Sequence, residues 1–187
     1  GAARFVGDVL IREGRIDAIR RGDEAALDVS GAEEVDGSGL ILTPGFVDPH
    51  THYDAQLSWD PTASPSNLHG VTTVIGGNCG FSIAPLGPDD ADYTRRMMSV
   101  VEGMPLEALE QGIDWNWQSF GEWLDRLDGQ TAVNAGFLVG HCALRRTVLG
   151  DRSVRDEAND SEVEQMRGLL ADSIRAGGLG LSSSRSF

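Results

Sequence analysis

The sequence is an acidic chain of 187 residues with a formal net charge of −14 and a pI near 4.5. This length suffices for one good hydrophobic core or two small ones. The negative charge argues against nucleic acid and against anionic membrane surfaces as partners, because both select a basic face. No apolar run approaches the roughly 20 residues of a membrane span. Two cysteines can form one disulfide at most, so a reduced, cytoplasmic setting is expected.

A β-hairpin is predicted near the start of the chain. Two apolar segments within residues 5–20 flank a turn at Glu13-Gly14. Residues 21–34 are acidic and rich in Ala and Gly, which predicts a loop, and residues 35–42 resume strand character. We therefore expect residues 1–43 to form a small β domain, the N-terminal portion of a β-sandwich, with too few strands to stand alone.

Two histidines follow the apolar run at 39–47. Because side chains alternate along a strand, His50 and His52 are expected on one face, together with Asp48 and Asp54. Two imidazoles at a strand end are the start of a divalent-metal site, most readily zinc; the alternative is a pair of exposed histidines. The two aspartates are candidates to accept the second ring N–H of each histidine, or else are solvated or turn-capping carboxylates.

A cysteine ends the next predicted strand. A helical turn at 64–70, with Ser64 as its cap and Gly70 as its stop, precedes a β-branched strand at 71–75. The strand stops at a Gly-rich turn that presents Cys79. As a thiolate, Cys79 is a candidate third zinc ligand or a bridge between two metals. The alternative for its glycines is a phosphate-type nest or a simple loop.

A helical insertion is predicted at about 86–130. One helical pattern covers residues 90–103, and a second begins with a capping box formed by Ser119 and Glu122. A third buried strand, residues 133–139, follows the insertion.

The rest of the chain repeats the alternation of strand and helix. His141 follows the third strand and is a candidate to touch the site or the substrate, or else is a core histidine; an Arg- and Asp-rich loop comes next. Ser161 and Glu164 predict the capping box of a long helix. A fourth strand is expected at 179–182, where Ser182 is a candidate pocket residue.

This order of elements predicts the α/β class. Buried strands that alternate with helices form a parallel sheet, and polar residues at the strand ends then gather on one rim, as in a (β/α)8 barrel. Four strands amount to about the first half of such a barrel, so residues 44–187 are expected to be part of a longer enzyme. Otherwise another copy of the chain, as a homo-oligomer, covers the open edge.

Three segments of the sequence resemble one enzyme family. They are PGFVDPHTHYD at 44–54, HGVTTVIGGNCGFSIAP at 69–85 and VGHCALR at 139–145, and they are similar to the N-terminal portion of the N-acyl-D-amino-acid deacylases (D-aminoacylases) of the amidohydrolase superfamily. The resemblance implies a TIM-type barrel and one or two zinc ions, with His50, His52 and Cys79 in the metal site. It also implies that the acid/base aspartate and the other histidine ligands lie beyond Phe187. No catalytic residue is then expected among these residues, which alone should be inactive.

The implied reaction is hydrolysis of the amide of a small N-acyl-D-amino acid. Cyclic-amide hydrolases, such as dihydroorotases and hydantoinases, are the alternative within the superfamily. Those enzymes usually bridge their metals with a carboxylated lysine, whereas all fifteen basic residues of this chain are arginine. A non-catalytic, truncated chain is the alternative from another class.

Overall fold

The computed structural model describes residues 3–184. The chain divides into two compact units, Gly1–Thr43 and Pro44–Phe187. In the first unit, strands β1 (Gly7–Arg12) and β2 (Arg15–Arg21) pair antiparallel, with a bulge between Leu10 and Ile11. The predicted hairpin is therefore confirmed.

Residues 35–42 do not form the predicted strand. The sheet of the first unit has two strands, β1 and β2, within the described residues. Leu40, Ile41 and Leu42 are exposed. The segment is apolar, as a strand often is, but a strand also needs a neighbouring strand edge to accept and donate its backbone hydrogen bonds. Whether such an edge is present depends on the tertiary structure.

The second unit is built on parallel strands, which confirms the α/β class. Neighbouring strands pair in chain order. A hydrogen bond from Leu179 N–H to Phe137 O (2.8 Å) links the segment before the last described strand to the strand that contains Phe137. The strands are β3 (Phe46–Asp48), β4 (Val71–Gly76), β5 (Asn134–Phe137), β6 (Val139–Gly140) and β7 (Leu181–Ser182).

The predicted third strand is divided at Leu138 into β5 and β6. The Leu138 N–H donates to Gly76 O (3.0 Å), whereas the next residue, Val139, donates to Gly180 O (2.8 Å). The segment thus changes its partner from β4 to β7 within one residue. A Cβ atom on Gly77 would lie 2.0 Å from the Leu138 carbonyl oxygen, so the break also depends on glycine at that position.

Five α-helices cover the second unit within residues 44–184. The two helices predicted in the insertion are present, including the Ser119–Glu122 capping box, and a short helix between them, Leu106–Gln111, was not predicted. The helices are α1 (Ala91–Glu102), α2 (Leu106–Gln111), α3 (Phe120–Leu127), α4 (His141–Leu149) and α5 (Asp160–Arg175).

Three local predictions were wrong. The segment after His141 was predicted as a loop, but it forms α4, which buries Ala143 and Leu144. Ser64 makes no capping bond; the turn there is a 3-10 helix, Ser66–His69, ended as predicted by Gly70 with φ 82°. The capping box of α5 is formed by Asn159 and Glu162, two residues before the predicted pair, because Asn159 is the residue with extended backbone at which the helix begins.

The core of the second unit centres on aromatic side chains. Trp123 of α3 packs edge-on against Phe120 (ring centroids 5.4 Å apart) and Phe137 of β5 (4.4 Å). All three side chains are buried, so the helical insertion is joined to the sheet by its own apolar face. No helix among residues 3–184 is long and apolar enough to cross a membrane.

Candidate metal centre

Three of the residues singled out from the sequence meet at the ends of β3 and β4. One ligand atom from each of His50, His52 and Cys79 lies within 4.8 Å of the others. His50 Nε2 lies 3.2 Å from Cys79 Sγ. A tetrahedral zinc ion separates a nitrogen ligand from a sulfur ligand by about 3.5 Å. The spacing of these donors therefore fits a single zinc ion.

The prediction that the two histidines share one face of a strand was wrong. Strand β3 ends at Asp48, so His50 and His52 lie in the loop beyond it. Thr51 fixes that loop, because both its backbone N–H and its hydroxyl donate to Ile75 O of β4, each at 2.9 Å. The rings lie edge-to-face, with centroids 5.5 Å apart.

Cys79 lies in a tight turn of left-handed backbone. Gly77, Cys79 and Gly80 have φ values of 72°, 56° and 85°, and a left-handed conformation is costly for a residue with a side chain such as cysteine. Asn78 joins the turn to the histidine loop through its amide, which donates to Thr51 O (3.1 Å) and Ile75 O (2.8 Å). These bonds set the distance between the thiol and the imidazoles.

Serines at the end of β7 and just after it hold the same turn from its other side. Ser182 accepts a hydrogen bond from Gly80 N–H (3.0 Å) and donates to the Gly77 carbonyl oxygen. The Ser184 hydroxyl donates to Cys79 O (2.7 Å). Ser182, predicted as a candidate pocket residue, thus contacts the backbone of the cysteine turn.

The two candidate aspartates differ in their surroundings. Asp48 accepts a hydrogen bond from the His50 backbone N–H (3.2 Å) rather than from a ring nitrogen. Asp54 is buried, its Oδ2 accepts from Gly77 N–H (2.9 Å), and its Oδ1 has no hydrogen-bond partner. Loss of solvation raises the pKa of Asp54 to about 7, against the lowering effect of the Gly77 bond and with a further rise from the charge of Glu102.

His141 and Cys142 lie beside the turn, at the start of α4. His141 Nδ1 is 3.3 Å from the Ser183 hydroxyl, and partial burial, with Arg145 nearby, lowers its pKa. Burial raises the pKa of the Cys142 thiol, which favours the neutral form. Both Cys79 and Cys142 are free thiols.

One residue at this site was missed by reasoning from the sequence. Glu102, the last residue of α1, has its Oε1 3.1 Å from His52 Nδ1. The sequence places it at the end of a predicted helix some 50 positions from the histidine, and no local pattern links the two. Only the packing of the insertion reveals the contact.

These features of fold and site agree with a family assignment. Residues 33–187 match the model of an amidohydrolase family (Amidohydro_3), and the chain belongs to that family.

Characterised deacylases are among its relatives. The chain is 37% identical over 177 residues to a D-aminoacylase of Alcaligenes xylosoxydans xylosoxydans, a match that covers 94% of this chain and 33% of the relative. The crystal structure of a D-aminoacylase superposes with a TM-score of 0.75 at 34% identity, covering 97% of this chain and 35% of that one. An N-acyl-D-glutamate deacylase from Bordetella bronchiseptica, solved with zinc and a phosphonate inhibitor that mimics the tetrahedral intermediate, superposes with a TM-score of 0.74 at 28% identity, covering 97% of this chain and 35% of that one. The chain thus spans about a third of the length of these relatives.

Proposed function

We propose that the chain is the N-terminal portion of a zinc-dependent amidohydrolase that cleaves the amide bond of N-acyl-D-amino acids. The convergence of His50, His52 and Cys79 within 4.8 Å carries the proposal. The D-aminoacylase and deacylase relatives indicate the substrate class. The products of the reaction are a carboxylate and a D-amino acid, formed by addition of one water molecule across the amide C–N bond.

The donor set suits zinc in its chemistry as well as in its spacing. Imidazole nitrogen and thiolate sulfur are ligands that zinc prefers, and three protein ligands leave the fourth position of a tetrahedral site open, as catalytic zinc requires. When bound, zinc lowers the pKa of a water molecule to about 7 and polarises the carbonyl group under attack. Asp54 and Glu102 add carboxylates beside the site, and a bound cation offsets the repulsion between these acidic groups.

The residues of this chain position the donors and set the access of substrate. His50 is exposed, whereas His52 and Cys79 are half-buried. The bonds of Thr51 and Asn78 hold the histidine loop and the cysteine turn at a constant separation, which is the preorganisation that a metal site needs.

The architecture we propose is the first part of a (β/α)8 barrel, residues 44–187, preceded by part of a small β-sandwich, residues 1–43. The parallel strands in chain order support the barrel, and Phe46 and Val47 leave an apolar edge of β3 exposed. Later strands of the complete protein, or a second copy of the chain, would cover that edge. The acid/base aspartate belongs to those later strands in this proposal, and the free thiols Cys79 and Cys142 fit a cytoplasmic setting.

Metal content tests the donor set. We expect zinc to copurify with the chain in chelator-free buffer and to be lost from a Cys79→Ser variant, because the hydroxyl is a much poorer zinc ligand than a thiolate. Cys142→Ser is the matched control, since it removes the other thiol beside the same turn and should retain the metal. Equal zinc in both variants, or none in the unaltered chain, would contradict the proposed site.

Activity tests the substrate class. The complete protein that contains this sequence should hydrolyse N-acetyl-D-methionine, and should act on neither N-acetyl-L-methionine nor dihydroorotate. Turnover of dihydroorotate instead would favour the cyclic-amide hydrolases, although these residues offer no lysine to bridge two metals. A complete protein that binds zinc and turns over none of the three, nor the N-acetyl derivatives of D-aspartate and D-glutamate, would favour a non-catalytic role.

A further inference from the structure

One ring nitrogen of His52 lies beside a carboxylate of the helical insertion. His52 Nδ1 is buried and makes no aligned hydrogen bond. Glu102 Oε1 is 3.1 Å away, and the two side chains are 23% and 13% exposed. The distance is that of a hydrogen bond, while the ring N–H direction misses the oxygen, so a small rotation of the ring or of the carboxylate would align the pair.

The position of Glu102 on its own helix has no evident structural benefit. It is the last residue of α1, and no basic residue lies in that last turn. The helix dipole makes a negative charge at a helix C-terminus unfavourable. Glu102 also lies close enough to the buried Asp54 to raise its pKa. Glu102 thus lies beside His52 despite two unfavourable interactions, one with the helix dipole and one with Asp54.

We infer that Glu102 is a positioning residue, which accepts a hydrogen bond from His52 Nδ1–H and thereby keeps Nε2 deprotonated and available to a metal ion. The inference deepens the proposed function, on whose zinc site it rests. A histidine that ligates a metal usually donates its other ring N–H to a carboxylate or carbonyl group, which selects the tautomer and the orientation of the ring. Here the partner comes from the insertion rather than from a barrel strand, so that α1 becomes part of the metal centre.

Zinc affinity is the first measurement, made by competition with a chromophoric chelator. Glu102→Ala should weaken zinc binding by about 10- to 100-fold, the usual cost of losing such a partner. Glu102→Gln should weaken it less, because the amide oxygen still accepts the Nδ1–H bond. Glu110→Gln, which removes one exposed charge from α2 of the same insertion, should leave the affinity unchanged.

A second measurement separates positioning from general support of the fold. The tautomer of His52 can be observed by ¹⁵N NMR on the metal-free chain at mildly alkaline pH, with His52→Gln for assignment. We expect the Nδ1–H form in the unaltered chain and a mixture of tautomers in Glu102→Ala, with the thermal unfolding temperature of the metal-free variant not lowered. An unchanged tautomer in Glu102→Ala, or a loss of affinity matched by loss of metal-free stability, would overturn the inference.

The two proposals fail in different ways. If the unaltered chain binds no zinc, the proposed function fails, while the tautomer of His52 in the metal-free chain still reports on Glu102. If zinc binds and Glu102→Ala neither weakens it nor alters the tautomer, the metal site stands and the role of Glu102 is refuted.

Discussion

Asp54 shows at the residue scale how burial changes a carboxyl group next to the candidate metal site. Its side chain is inaccessible to solvent, one oxygen is bonded to Gly77 N–H, and the other has no partner. Burial raises its pKa to about 7 from 3.8. Between these values the folded chain holds a proton that the unfolded chain has released, and stability therefore falls as pH rises.

Replacement of Asp54 by Asn should remove this dependence on pH. The free energy of unfolding of the metal-free chain should decline between about pH 4 and pH 7 by up to about 1.4 kcal/mol per pH unit through this group. The advantage of Asp54→Asn should therefore grow with pH over that range. Urea denaturation with a chelator present, at several pH values, measures it.

Parallel pH profiles for the two proteins would show that Asp54 titrates at its ordinary pKa and would contradict this account. The comparison is close to isosteric, because the Asn side-chain oxygen can still accept the bond from Gly77 N–H.

Sequence reasoning identified the candidate metal ligands at this scale but not the residues that support them. His50, His52 and Cys79 carry chemical types that point to a metal wherever they meet. Asn78 and Ser182 are common polar residues, and their importance lies in bonds to backbone atoms far along the chain: Ser182 binds Gly77 across 105 positions. No pattern within a few residues of either one signals that role.

At the scale of the element, helix α5 was predicted correctly, but the residue that caps its N-terminus was not. Its existence and its end near Gly177 follow from apolar periodicity, but its beginning lies at Asn159 rather than Ser161. Both pairs, Asn159 with Glu162 and Ser161 with Glu164, satisfy the spacing of a capping box. The backbone conformation of the preceding loop selects Asn159, because an N-cap residue has extended backbone.

A pair of alanine variants tests this assignment. Asn159→Ala should lower the free energy of unfolding by about 1 kcal/mol, since the Glu162 N–H loses its acceptor. Ser161→Ala changes an exposed side chain inside the helix and should alter stability by less than about 0.5 kcal/mol. Equilibrium denaturation of both variants measures the difference.

The reverse order, with Ser161→Ala the more damaging, would restore the cap expected from the sequence. Neither Asn159 nor Ser161 belongs to the candidate metal site, so zinc content should be the same in both variants and serves as the control for native structure.

At the scale of the molecule, a metal that binds the folded chain alone must stabilise it. Zinc at 100 times its dissociation constant should add about 2.7 kcal/mol to the free energy of unfolding. Thermal denaturation with and without zinc measures the shift. Cys79→Ser should show none, and neither should magnesium, which prefers oxygen ligands.

A shift of equal size in Cys79→Ser would place zinc elsewhere on this acidic chain, which has 29 Asp and Glu residues. Because Cys142→Ser keeps all three proposed donors, its response to zinc should match that of the unaltered chain.

The sequence by itself determined the hairpin, the parallel α/β order and the three side chains proposed as metal ligands, because periodicity, turns and side-chain chemistry act within a few residues. The tertiary structure decided the rest. Residues 35–42 have no strand partner, and a segment predicted as a loop forms α4. Asn159 rather than Ser161 caps α5, and Glu102 lies beside His52. Each of these outcomes depends on a hydrogen-bond or packing partner supplied from elsewhere in the fold, which local sequence cannot specify.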